Sequence, residues 1–259
     1  NIREMIIVLG DHEHHKLLEL IGRYEILDIC IKIVPHMYES ISGQARIDVL
    51  NGIPLMGINP NIMTEFQSFM KRIIDIVFSL ASMILLLPLC LVLVIIVGLG
   101  STGGVLYKQI RLGKNGIRFN LYKLRTMYIN SEISTGPIWS DKKDPRITPA
   151  GKVLRKFHLD EIPQLFNVFI GEMSIVGPRP ERPKIIDALT KEIPYYSHRM
   201  KVKPGITGWA QIWEVYDASL EDVYIKLKHD FYYIEKFSLF LDFKVLLLTV
   251  WTIIKGKGR

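Results

Sequence analysis

Two adjacent carboxylates, Asp160 and Glu161, stand just ahead of Pro163 and an apolar stretch with helical spacing, Ile162 to Phe169. Proline early in such a pattern belongs to a helix's first turn, so the pair is expected at a helix N-terminus. There the helix dipole favours an ionised carboxylate and a nearby phosphate alike. One carboxylate could attack phosphorus while its neighbour holds Mg²⁺. Taken alone, such a pair is ordinary N-terminal helix charge, and its weight comes from the cations elsewhere in the chain. These are Lys123 and Arg125 in Tyr-Lys-Leu-Arg-Thr-Met, Arg146 in Asp-Pro-Arg, Arg155, and Arg179 with Arg182 in Gly-Pro-Arg-Pro-Glu-Arg-Pro, which also carries Glu181. Guanidinium forks match phosphate oxygens, and a diphosphate undergoing displacement needs its charge neutralised. Pro178 and Pro180 fix the backbone around Arg179 and reduce the entropy lost on ordering it. The bland alternative, a solvated basic face on anionic headgroups, suits Lys108 to Arg118 best.

Other patterns carry less. Gly98-Leu-Gly100-Ser-Thr-Gly103 matches a dinucleotide fingerprint, but no clear helix follows it and the apolar run before it is too long for one strand. His12-Glu-His14-His15 could bind a metal, yet a polar turn after the first strand explains it as well. His158 reads as a structural neighbour of Asp160 that could assist proton transfer.

The elements that must position these residues begin with an α/β unit. Strands are expected at Met5–Leu9, Ile29–Val34 and Ile53–Met56, with a helix around Leu17–Ile21, which together suggest a parallel sheet. The formal net charge of +7 favours an anionic partner: nucleic acid, an acidic membrane surface or phosphorylated small molecules. Cys30 and Cys90 give no disulfide framework and no zinc spacing. A start at Asn1 without a signal pattern suggests a piece of a longer protein.

From Ile76 to Tyr107 there is no charged side chain, a run longer than the roughly 20 residues a membrane-crossing helix needs. Lys71 and Arg72 precede it; Lys108, Arg111, Lys114, Arg118, Lys123 and Arg125 follow it, so both flanks carry the charge of a cytoplasmic side. Pro88 near the middle predicts a kink. A helix that enters, bends and returns satisfies both observations; a single pass with a tolerated proline is the alternative. Near the C-terminus, Ser219-Leu-Glu-Asp222 resembles a capping box, and Leu239 to Ile254 suits an interfacial helix anchored by Trp251 and Lys255.

From Lys71 onward the chain resembles the monotopic polyprenyl-phosphate sugar phosphotransferases of bacterial glycoconjugate assembly. The resemblance rests on Lys71-Arg72-x-x-Asp75, the Pro88-broken apolar segment, Tyr122–Met127, Asp144–Thr148, Leu159–Leu165 and Val176–Glu181. Lys203–Gln211 and Tyr232–Glu235 look like the larger, exopolysaccharide-type branch. It implies a helix-rich α/β fold: residues 1–65 end a Rossmann-like domain and linker, 66–107 form a re-entrant membrane helix, 108–238 a cytosolic catalytic domain, and 239–259 an interfacial tail.

The resemblance also implies a two-step transfer. Asp160 attacks the sugar-proximal phosphorus of a UDP-sugar, UMP leaves, and undecaprenyl phosphate takes the phosphosugar, with Glu161 holding Mg²⁺. Lys123, Arg125, Arg146, Arg155, Arg179, Glu181 and Arg182 are the substrate-binding candidates. The place of action would be the cytoplasmic face of the bacterial inner membrane. The partners would be membrane lipid and a second copy through the upstream domain, and not nucleic acid. His158 stands where Ser is common in the family, Ile162 where Leu is common, and Glu214-Val215 where Gly-Arg is expected. Two rivals remain: a catalytically silent adaptor for anionic lipid, and a membrane-anchored dinucleotide-dependent oxidoreductase resting on the Gly98 pattern.

Overall fold

The computed structural model describes residues 4–7, 30–33, 47–50, 53–58, 63–100, 103–129, 145–193, 195–213 and 220–254. In the N-terminal part, four strands, β1 (Glu4–Ile7), β2 (Cys30–Ile33), β3 (Ile47–Leu50) and β4 (Ile53–Ile58), form one sheet in the order β1-β2-β4-β3. Only β1 and β2 are parallel; β4 runs antiparallel to both β2 and β3. The expected parallel sheet is therefore a mixed one. The reason is local: β3 and β4 are separated by Asn51-Gly52, and a connection that short can only join antiparallel strands. The expected helix at Leu17–Ile21 and the His12–His15 cluster lie outside the described residues.

Helix α1 runs 36 residues, Glu65–Gly100, with Pro88 inside it, and is long and apolar enough to cross a membrane. The chain leaves the helix at Gly100, so Leu106 and Tyr107, counted above in the apolar segment, instead open strand β5 (Leu106–Leu112). Gly98 and Gly100 lie within the end of α1 rather than after a strand, which removes the structural context of a dinucleotide fingerprint. The middle of α1 is bare, with Leu85 79% exposed, while buried residues recur toward both ends. Leu93 and Val97 pack with Leu124 and Leu154. At the other end, Lys71 donates to Val176 O at 3.1 Å and to Asp242 Oδ2 at 2.6 Å, and Asp75 Oδ1 accepts from Ser174 Oγ and Ile175 N, both at 3.0 Å. Arg72 donates to Val168 O and Phe169 O, each at 2.7 Å. Both ends of α1 thus rest on the same folded unit.

That unit starts with an antiparallel hairpin of β5 and β6 (Arg118–Leu124), turned through Asn115 and Gly116 at positive φ. The period of two places Phe119, Leu121 and Lys123 on one face of β6; Phe119 and Leu121 enter the core. Helix α2 (Pro149–Lys156) begins with Thr148 accepting from Gly151 N at 2.9 Å and Pro149 in the first turn. Gly151 has no substitute there, because an added Cβ would fall 2.2 Å from Thr126 O.

Next come a 3-10 turn at Leu159–Glu161 and helix α3 (Gln164–Ile170), ended by Gly171 at φ 95°. Strand β7 (Ser174–Val176) pairs in parallel with β8 (Gly205–Thr207) across α4 (Pro183–Glu192) and a 3-10 segment, Tyr196–Lys201. The chain finishes with α5 (Trp209–Ile212), α6 (Leu220–Glu235) and α7 (Leu239–Ile254). The main core joins Leu121, Val168, Ile175, Tyr233, Leu241 and Val245. It draws β6, α3, β7, α6 and α7 around the strand that leads to Arg179.

Candidate active site

Asp160 and Glu161 lie in the 3-10 turn ahead of α3, not in the helix itself, and both are buried. The turn is entered through His158, a non-glycine residue with φ 54° and ψ 21°. Histidine is among the residues that tolerate this left-handed region, and backbone strain of this kind concentrates at functional sites.

Glu161 Oε1 accepts from Lys123 Nζ and from Arg179 Nη2, both at 2.8 Å. Lys123 arrives from the buried face of β6 and Arg179 from the proline-flanked segment after β7. Burial pushes the Glu161 carboxyl up, but Arg179 and Lys123 outweigh it and hold it well below the ordinary carboxylate range. Arg179 is correspondingly pushed up by Glu161. Lys123 is pulled down by its own burial against the attraction of Glu161, so Arg179 is the firmer of the two partners.

Asp160 behaves oppositely. Among the described residues its carboxylate accepts no hydrogen bond. Burial pushes its pKa up; Lys123 opposes this, Glu161 adds to it, and Arg155 and His158 pull it down by smaller amounts. Arg155 is held beside the turn by its Nε donating to Thr126 Oγ1 at 2.9 Å. Two adjacent carboxyl groups are thus driven apart: one held ionised by two cations, the other pushed up by burial and without a hydrogen bond among the described residues. That separation is what nucleophilic or acid–base chemistry requires of a pair.

The bacterial sugar transferase family profile matches residues 66–256. The chain belongs to the bacterial sugar transferase family. It is 39% identical over 238 residues, 92% of the chain and 55% of the relative, to the UDP-N-acetylgalactosamine-undecaprenyl-phosphate N-acetylgalactosaminephosphotransferase of Aeromonas hydrophila. It is 36% identical over 220 residues, 84% of the chain and 47% of the relative, to the UDP-glucose:undecaprenyl-phosphate glucose-1-phosphate transferase of Klebsiella pneumoniae. Against the exopolysaccharide production protein PSS of Rhizobium leguminosarum bv. phaseoli it is 36% identical over 195 residues, 73% of the chain and 98% of that protein. The chain spans about half the length of the first two.

Within this member of the family the structure brings Lys123, Arg155 and Arg179 to the carboxylate pair, and it gives Arg125 and Glu181 different partners. Arg125 Nε donates to Gly104 O at 2.8 Å and its guanidinium lies over the Tyr107 ring. Arg146 sits beside the Met127–Ile147 bridge, its carbonyl accepting from Tyr128 N at 3.0 Å. Arg182 is the residue from which α4 starts. Glu181 is buried in a knot of its own, accepting from Lys226 Nζ at 2.8 Å and Arg111 Nη1 at 3.4 Å. Glu214 and Val215 lie outside the described residues.

No group of three His, Cys, Asp or Glu ligands occurs among the described residues. A Mg²⁺ ion needs less, since it is commonly bound by one or two carboxylates, substrate phosphates and water. Both hydrogen bonds to Glu161 fall on Oε1, which leaves Oε2 and the Asp160 oxygens available, an all-oxygen set that fits a hard cation.

The sequence reading missed Arg199, Lys226 and Asp230, buried charges behind Arg179, and placed Arg111 on a solvated basic face, whereas it is half-buried against Pro180 O and Glu181. Each stands among other charged residues of an amphipathic or turn segment, from which nothing in the residue order singles it out. Only the contacts between segments distant in sequence reveal them.

Proposed function

We propose that this chain moves a sugar-1-phosphate from a UDP-sugar to undecaprenyl phosphate, as the names of its relatives describe for them. The observation that carries the proposal is the turn itself, with Asp160 buried and unbonded beside a Glu161 neutralised by Lys123 and Arg179. Asp160 attacks the sugar-proximal phosphorus, the phosphoanhydride bond breaks, and UMP leaves with its electron pair. The phosphosugar remains on the Asp160 carboxylate as an acyl phosphate. An oxygen of undecaprenyl phosphate then attacks the same phosphorus and the carboxylate is released. Lys123, Arg155 and Arg179 orient the diphosphate and offset its charge. Glu161, through Oε2, would hold Mg²⁺, which when bound supplies further charge neutralisation to the donor diphosphate.

The lipid acceptor also gives α1 a purpose. Lys71 and Asp75 at one end and Leu93 and Val97 at the other pack on the same unit, which supports a helix that enters and returns on the cytoplasmic face of the bacterial inner membrane. Cysteine labelling of positions flanking α1 tests this: both flanks are expected to react from the same side, and opposite sidedness would exclude a hairpin.

The reaction is tested by UMP release from a panel of UDP-sugars with Mg²⁺ and undecaprenyl phosphate, using full-length protein in membranes. Lipid-dependent UMP from one donor, lost in Asp160→Asn and Glu161→Gln, is the expected result and names the sugar. No release with any donor would leave an anionic-lipid adaptor as the better account.

A further inference from the structure

Arg179 must be delivered to Glu161 by a segment, Pro178–Glu181, that cannot hold itself. Two of its four residues are prolines without an N–H, and it belongs to no helix or strand. Its four carbonyls are nevertheless all bonded from outside. Pro178 O accepts from Gly205 N at 2.9 Å, Pro180 O from Arg111 Nη1 at 2.9 Å, and Glu181 O from Leu112 N at 3.1 Å. The carbonyl of Arg179 itself accepts from Arg199 Nη2 at 3.1 Å. Arg199 is 4% exposed; its Nη1 donates to Tyr196 Oη at 2.5 Å, and Nη2, which bonds Arg179 O, also lies 2.8 Å from Asp230 Oδ2 in an ion pair. Asp230 comes from α6, far from the turn in sequence. A chain of contacts therefore runs from α6 through Arg199 and the Arg179 peptide to the Arg179 guanidinium and Glu161.

We infer that Arg199, braced by Asp230 and Tyr196, is a positioning residue that holds Arg179 on Glu161. The inference rests on the reading of Glu161 and Arg179 given above. The two terminal nitrogens divide this work, Nη1 on Tyr196 and Nη2 on Arg179 O and Asp230, a spread that the single nitrogen of an ammonium does not offer. A purely structural role, stapling α6 to the 3-10 segment, would need the Asp230 ion pair but not the bond to Arg179 O. Arg199→Lys keeps the charge opposite Asp230 and loses the fork. Tyr196→Phe is milder, removing one hydroxyl and leaving the ion pair.

The test is a pair of double-mutant cycles on full-length protein in membranes. In the first, Arg199→Lys lowers kcat by roughly tenfold or more, as loss of a hydrogen bond to a charged donor implies. The same change costs under about twofold once Arg179 is already Ala, since the group it positions is gone. Tyr196→Phe lowers kcat by about two- to fivefold. Equal losses in both backgrounds would overturn the inference. The second cycle needs no substrate and compares Tm for Glu161→Gln with and without Arg199→Lys. The Tm loss from Glu161→Gln is expected to shrink in the Arg199→Lys background, because the Arg179–Glu161 pair is already weakened there. Additive losses would reduce Arg199 to a staple. If wild type releases no UMP, the functional reading fails while this second cycle still decides the role of Arg199.

Discussion

Glu161 and Glu181 are both buried glutamates on which two cations converge, yet only one of them belongs to the candidate site. Glu161 takes Lys123 and Arg179; Glu181 takes Lys226 and Arg111. In both, burial alone would raise the pKa and the cations more than reverse it; Glu181 is brought down to about 2. The difference lies beside them. Glu181 is followed by the start of α4 and its charges are consumed within the fold. Glu161 is preceded by Asp160, buried without a hydrogen bond and pushed the opposite way. Cations gathered on a buried acid therefore do not mark a site by themselves; at Glu161 the distinction is the adjacent second carboxylate, Asp160, which accepts no hydrogen bond from them.

The largest expected break in this comparison is Asp160→Asn. Turnover should fall by about a thousandfold or more, as for loss of a nucleophile. Since the raised pKa of Asp160 means that its ionised form is held at a cost, the neutral amide should keep or raise Tm. A parallel loss of Tm and activity would make Asp160 structural instead.

Glu181→Gln should invert that pattern. It leaves Lys226 and Arg111 buried without their anion and costs about 3 kcal/mol of stability, read by denaturant unfolding, whereas activity per folded molecule falls far less than in Asp160→Asn. The sign of the pH dependence follows from the depressed pKa. Above its ordinary value of 4.5 the Glu181 contribution is fully present, and it is lost as pH falls towards about 2. Glu181→Gln should therefore flatten the fall of Tm across that window.

Arg179→Ala comes next, with turnover lowered by about a hundredfold through lost charge stabilisation and membrane association unchanged in flotation assays. Near-normal turnover would remove Arg179 from the site. The finest test is the acid limb of kcat. Protonation of Asp160, pushed above the ordinary carboxylate range, should switch the rate off as pH falls, while Glu161, pushed well below it, stays ionised. A limb unchanged by substitutions that perturb Lys123 or Arg155 would assign that proton elsewhere.

Much of this was legible in the residue order because it depends on covalent neighbours. Asp160 and Glu161 are adjacent, Arg179 is fixed between two prolines, and the uncharged run that ends before the basic residues announces a long apolar helix whatever the fold. The helix around 162–169 was displaced by only two residues, because Pro163 opens α3 instead of sitting inside it. The N-terminal sheet was less legible. Strands β1, β2 and β4 showed as apolar runs, but their directions depend on connections, and β3 lacks a long apolar pattern of its own.

The sequence by itself determined which groups were available: a carboxylate pair, a set of cations, and an apolar helix bounded by positive charge. Tertiary structure alone decided which cation met which acid. It sent Lys123 and Arg179 to Glu161, sent Lys226 and Arg111 to Glu181, and left Asp160 without a bond. It also brought Lys71 to Asp242 and Leu93 to Leu154, so that both ends of α1 meet one unit. The physical reason is that burial and partner distance set the charge state of an acid, and both are properties of segments packed together from distant parts of the chain.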